Sequence, residues 1–152
     1  MHDVAVRALR ALASRGLEAL PSTWSLLRLD RPVARKAETH LFGEIDGYDA
    51  IVARFAAALK EGRPVLLWVR SPGGDVLGLE DAARQMMALR AGYSAPVYAI
   101  VHADASDAAR RLAEAVADRL LLRGERHRRR THSGELSVVE ELAGDDDEPR
   151  TA

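Results

Sequence analysis

Two spacings of apolar residues alternate along the middle of this chain. Residues 48–60 set Tyr48, Ile51, Val52, Phe55 and Leu59 three or four apart, which predicts a helix with one buried stripe. PVLLWV, at 64–69, is an apolar run without polar alternation, as expected for a strand covered on both faces. Helical spacing returns over 78–90 in Leu79, Ala82, Ala83, Met86 and Leu89, with Met86 and Met87 read as core filler. PVYAIV, at 96–101, predicts a second buried strand, residues 107–117 a third helix through Leu112, Ala115 and Val116, and RLLL, at 119–122, a short strand. Upstream, THLFGEI at 39–45 reads as a strand and DGY at 46–48 as the turn after it. Strand and helix alternate, so the expected class is α/β with a mainly parallel sheet.

The flanks are less regular. Residues 3–15 read as a helix that turns Val4, Leu9 and Leu12 to one side and ends at Gly16. Pro21 and Pro32 bracket WSLLRLD, read as a short extended or irregular connection. Beyond residue 123 the periodicity fades. The basic run RHRRRT is expected to stay out of the sheet, ELSVVEELA at 135–143 suggests a short helix, and GDDDEPRTA has the composition of a disordered end. The chain thus divides into a helix and connector at 1–38, an α/β domain at 39–122, and a basic then acidic tail at 123–152.

Composition narrows the function classes. The 152 residues are 47% hydrophobic and 30% charged, ordinary for a globular protein, with an aliphatic core implied by 5% aromatics. Cysteine is absent, which removes disulfides and thiolate metal sites and fits a reducing, cytoplasmic setting. No apolar run has the length of a membrane span, and the Arg-interrupted N-terminus lacks the pattern of a secretory signal. The net charge of −1 hides a basic block, RGERHRRR at 123–130, and an acidic block, DDDE at 145–148. No stacking aromatics accompany the arginines, so nucleic acid is not an expected partner. No histidine–carboxylate spacing suggests a metal, and no cofactor is expected.

RSPGGDVLGL, at 70–79, does not read as packing alone. Adjacent glycines carry the largest backbone entropy loss on folding, so Gly73 and Gly74 imply a need for bare backbone where a strand gives way to a helix. In a parallel α/β sheet that is where ligands bind. Without Cβ atoms, the two N–H groups can approach an anionic oxygen.

The residues around this turn carry a resemblance. A hydrophobic–GEI strand, a helix, a strand ending in SPGGDV, a helix, a PV-initiated strand, a turn with serine and a helix ending in VADR follow one another over 39–122. In that order they resemble the Clp protease proteolytic subunit, the signal peptide peptidases and the phage head-maturation proteases. The resemblance implies a ClpP/crotonase-like βαβ spiral, here truncated, peptide-bond hydrolysis by a serine, an oxyanion-hole amide at Gly73 or Gly74, a peptide or protein substrate, and assembly into a homo-oligomer. SPGG speaks against a crotonase-type thioester enzyme.

Carried onto this chain, the catalytic residues are Ser106 as nucleophile and His132 as base, with His127 nearer in sequence; Asp107 follows the serine and joins the oxyanion hole. Aligned without gaps from PV at 96–97 to VADR at 116–119, the pattern sets Asp107 under the nucleophile and Ser106 under the preceding alanine. Asp104 and Asp107 flank Ser106, and negative charge opposes a developing oxyanion. Ser106 or Asp104 as helix N-cap, with Asp107 in the first turn, is the alternative reading. The signal-peptide-peptidase lysine has no counterpart, since Lys36 and Lys60 both precede Ser106. Two expectations result: a serine peptidase with an incomplete apparatus, or a non-catalytic relative that binds a peptide or a partner subunit.

Overall fold

The computed structural model describes residues 2–34, 38–40, 43–122, 126–130 and 136–141. Helix α1 (His2–Arg15) and a short 3-10 turn lead into strand β1 (Ser25–Leu29). Strands β2 (Val33–Ala34), β3 (Glu38–His40) and β4 (Gly43–Gly47) follow, then α2 (Tyr48–Lys60), β5 (Val65–Val69), α3 (Val76–Arg90), β6 (Val97–Val101), α4 (Asp107–Val116) and β7 (Arg119–Leu122). Strands β8 (Arg126–Arg130) and β9 (Leu136–Glu141) complete the described chain.

The main sheet has the order β1-β5-β6-β7-β8-β9; its first four strands are parallel and the last two antiparallel. A smaller sheet, β2-β4-β3, lies beside it. The fold is α/β with a mainly parallel sheet, as the alternation of spacings requires.

Every residue of β5 is buried, and the pleat sends its side chains alternately to two layers. Val65, Leu67 and Val69 join Ile51, Phe55, Leu79, Met86 and Leu112 under α2, α3 and α4. Leu66 and Trp68 face the other way, packing with Leu9 and Leu12 of α1 and with Ile100 and Leu121. Burying a side chain such as Leu9 or Leu12 contributes about 1.5–3 kcal/mol, so α1 is held to the sheet by its apolar face.

Several sequence expectations change. WSLLRLD contains a sheet strand: β1 pairs in parallel with all of β5, and its burial alternates along Ser25–Leu29 as an edge position demands. THLFGEI is two strands, β3 and β4, paired antiparallel, and no separate turn intervenes at 46–48 because α2 begins at Tyr48. Val4 is exposed, while Ala5, Leu9 and Leu12, four and three apart, share the buried face. Met86 is core, but Met87 is exposed. The basic run does enter the sheet: β8 pairs with β7 and β9 through backbone groups that every non-proline residue carries. ELSVVEELA supplies strand β9 and not a helix, its adjacent valines favouring extended backbone next to an available partner. Among the described residues, no helix is long and apolar enough to cross a membrane.

Candidate functional site

The site forms where β5 and β6 end. Sheet-type hydrogen bonds continue past both strands, from the Arg70 N–H to the Leu29 carbonyl at 2.7 Å and from the His102 N–H to the Val69 carbonyl at 2.9 Å. Two loops, 70–75 and 102–106, therefore leave the sheet side by side. The Ser106 N–H donates to the Ser71 carbonyl at 2.9 Å and ties one loop to the other.

Ser71 is fully buried and organises the glycine turn. Its hydroxyl donates to the Arg31 carbonyl at 2.8 Å and accepts the Gly73 N–H at 3.1 Å. On the far side of the turn, β2 crosses. The Val33 N–H donates to the Gly73 carbonyl at 2.9 Å, and the Asp75 N–H donates to the Val33 carbonyl at 2.6 Å, a parallel bridge centred on Gly74. Asp75 then caps α3, its carboxylate accepting the Leu77 N–H at 3.0 Å.

Both glycines sit at positive φ, Gly73 at +120° and Gly74 at +109°. A Cβ on Gly74 would stand 2.1 Å from the Val33 carbonyl oxygen. A Cβ on Gly73 would stand 3.2 Å from Ser106 Cβ and 3.3 Å from Ser106 Oγ. The bare backbone is thus used on two sides: Gly74 admits β2, and Gly73 admits Ser106. The Gly73 N–H is engaged by Ser71. The Gly74 N–H, on an exposed residue, has no hydrogen-bond partner among the described residues.

Ser106 is the N-cap of α4. Its Oγ accepts the Ala109 N–H at 3.1 Å, and its carbonyl accepts the Arg110 N–H at 2.9 Å. Asp107, the first helical residue, is exposed and ion-paired with Arg110 one turn on. Asp104 lies in the same loop and pairs with Arg70 at 3.3 Å. The hydrogen bond from Arg70 lowers the Asp104 pKa below the usual carboxylate value, with the positive charge of Arg70 and the nearby His102 adding to it. A cavity of about 210 Å³ opens beside this loop, lined by His102, Ala105, Asp107, Arg110 and Leu122 among others.

The sequence-derived residues are brought together in part. Gly73, Gly74, Ser106 and Asp107 converge at the ends of β5 and β6. His132 lies outside the described residues; His127 is in β8, opposite Leu121, with its side chain undescribed. His102 is buried with its ring edge-on to Trp68 at 4.5 Å between centroids. Trp68 belongs to the α1 layer of the sheet, whereas α4, with Ser106 at its start, packs on the opposite layer. Among the described residues, no group of three or more His, Cys, Asp or Glu is placed to hold a metal.

Two structural residues escaped the sequence reading. Ser71, inside SPGG, holds the turn's shape. Asp118, inside VADR, accepts the Val97 N–H at 2.9 Å and pairs with Arg90, which also donates to the Val116 carbonyl at 2.8 Å. One carboxylate therefore joins α3, the start of β6 and the end of α4. The signal was present in the motif itself, a lone acid directly before a buried strand.

No family model matches the chain. Among known proteins it is similar to the head-tail preconnector protein GP5 of Enterobacteria phage P21, with 36% identity over 108 residues. The match covers 70% of this chain and 20% of that protein, so the chain spans about a fifth of its relative's length.

Proposed function

We propose that this chain is a domain of the Clp and signal-peptide-peptidase lineage serving in phage head assembly, where it binds an extended polypeptide at the SPGG turn without cleaving it. The likeness to a head-tail preconnector protein supports the setting. The observation that carries the chemical part is the cap: Ser106 Oγ accepts the Ala109 N–H at the start of α4. A serine nucleophile instead needs a base within reach of its proton and a third group to orient that base. The acidic neighbours Asp104 and Asp107 further disfavour a second negative charge on the serine or on a reacting carbonyl.

What remains suits binding. The Gly74 N–H and the N–H groups of Asp107 and Ala108, which precede the capped Ala109 N–H at the start of α4, are donors for the carbonyl of a bound segment. Assembly with further copies follows from the same lineage.

A second reading is favoured by the close approach of Gly73 to Ser106: a serine peptidase in which Ser106 attacks, His132 takes its proton, and Gly74 with Asp107 stabilises the oxyanion. A fluorophosphonate probe on the native protein and on Ser106→Ala separates the two. The binding reading expects no labelling of the folded native chain. It also expects a stability loss of about 1 kcal/mol in Ser106→Ala that Ser106→Asp restores, since aspartate caps a helix equally well. Labelling that disappears in Ser106→Ala would overturn that reading and establish an activated serine.

A further inference from the structure

Strand β1 ends the main sheet, and among the described residues it pairs with β5 alone. In a parallel pair, alternate residues send both N–H and C=O to the same neighbour. The Ser25 N–H donates to the Pro64 carbonyl and the Leu29 carbonyl accepts the Arg70 N–H, each at 2.7 Å. Ser25, Leu27 and Leu29 therefore face β5, and the N–H and C=O groups of Leu26 and Arg28 face outward. Edges of this kind are templates for another strand unless a proline, bulge or cover blocks them. Here Pro21 and Pro32 lie outside the strand, and the register to β5 runs from Ser25 to Leu29 without a bulge. A groove of about 710 Å³, lined by Leu26 and Arg28 and bordered by Arg54 of α2, leaves room along it.

This edge is complementary to itself. Two copies of β1 running antiparallel about a two-fold axis at Leu27 set Leu26 of one copy opposite Arg28 of the other, twice over. Each such pair exchanges two backbone hydrogen bonds, so every outward N–H and C=O of both strands finds a partner. The side chains agree with the backbone. Leu26 and Arg28 lie on one face of the strand, and that face is open, with Leu26 37% exposed and the Arg28 side chain 55% exposed. The apolar stem of Arg28 can then cover Leu26 of the other copy. Its guanidinium keeps Asp30 of its own strand, at 2.9 Å.

Neighbouring two-fold registers are poorer. An axis at Leu26 sets Arg28 opposite Trp24, whose N–H already donates to the Pro21 carbonyl at 3.0 Å. An axis at Arg28 sets two arginines directly opposite each other, a destabilising pair. An axis at Leu29 sets Leu26 opposite Pro32, which offers no N–H.

We propose that two copies of this chain pair their β1 strands antiparallel about Leu27, joining two main sheets into one. The contact is isologous and consumes the edge of both copies, so it closes as a dimer. It holds whether or not Ser106 is activated.

The chain has no cysteine, so single thiols report the register. In the proposed pair, the Cα atoms of residue 26 in one copy and residue 28 in the other stand about 5.5 Å apart, within disulfide reach. Identical positions are offset by two residues along the strand and stand roughly 8–9 Å apart, beyond that reach. Oxidising an equimolar mixture of Leu26→Cys and Arg28→Cys is therefore expected to give a covalent dimer, with about tenfold less or fainter still from either variant alone. Sedimentation of the native full chain is expected to show a monomer–dimer equilibrium. Leu26→Pro removes two of the four hydrogen bonds while retaining the β5 ladder, because the N–H it deletes faces outward, and should weaken the dimer about tenfold or more. If Leu26→Pro does not fold, the cysteine mixture decides alone. A native chain that is monomeric throughout, a dimer unchanged in folded Leu26→Pro, or cross-linking as strong within one variant as in the mixture would each overturn the proposal.

Discussion

Replacing Gly74 by alanine is the sharpest perturbation of the turn. The added Cβ would lie 2.1 Å from the Val33 carbonyl oxygen, 2.5 Å from its nitrogen and 2.9 Å from its carbonyl carbon. All three are backbone atoms, so no side-chain rotation relieves the clash. Relief requires β2 to withdraw, which breaks the 2.9 Å and 2.6 Å hydrogen bonds linking Val33 to Gly73 and Asp75. At about 1 kcal/mol each, with about 1–3 kcal/mol for an alanine held at φ +109°, the expected loss is about 3–5 kcal/mol. A domain of this size loses roughly 2–4 °C in Tm per kcal/mol, so the midpoint should fall by about 6–20 °C. Gly62→Ala is the control: its φ is +75° with nothing within 4 Å of the new Cβ, and it should cost only about 1–2 kcal/mol. Urea titration followed by Trp24 and Trp68 fluorescence measures both. If Gly74→Ala is no less stable than Gly62→Ala, the crossing of β2 does not hold the turn and the reasoning fails.

Two further outcomes follow from the loop contacts. Asp118→Ala should cost about 1–3 kcal/mol by leaving the Val97 N–H unpaired, Asp118→Asn should cost less because it keeps an acceptor, and urea midpoints equal to wild type in both would refute the three-way link. Asp104 should titrate below the ordinary carboxylate value and move back up in Arg70→Gln, since the Arg70 hydrogen bond is the largest cause of its shift. A folded-state pKa depressed in this way adds stability above the unfolded value and loses it as pH falls through the folded one; an Asp104 side-chain NMR midpoint indifferent to Arg70→Gln would show that the pair is not formed in solution.

What could be read from the sequence depended on whether local pattern or long-range pairing decides each segment. PVLLWV and PVYAIV were legible because a strand buried on both faces is apolar at every position, whatever lies beside it. SLLRL was not, since its role rests on pairing with β5, 40 residues on, and an alternation this short between two prolines looks like any connection. ELSVVEELA carries helix-forming residues at helical spacing, and only the neighbouring β8 makes it a strand. At the site, SPGG located the turn and HADAS its partner. The hydroxyl of Ser71 and the approach of β2 depend on residues forty positions apart and had no local signature.

If Gly74 were bare only to let an amide reach a substrate, its presence would argue for chemistry. Here its missing side chain is already required by β2, and that of Gly73 by the packing of Ser106. The fold demands both glycines whether or not a bond is ever cleaved. A protein that lost its base would still need SPGG to hold the turn around Val33, so the motif supports an architecture. Hydrolysis would fall to Ser106, whose oxygen is engaged in starting a helix.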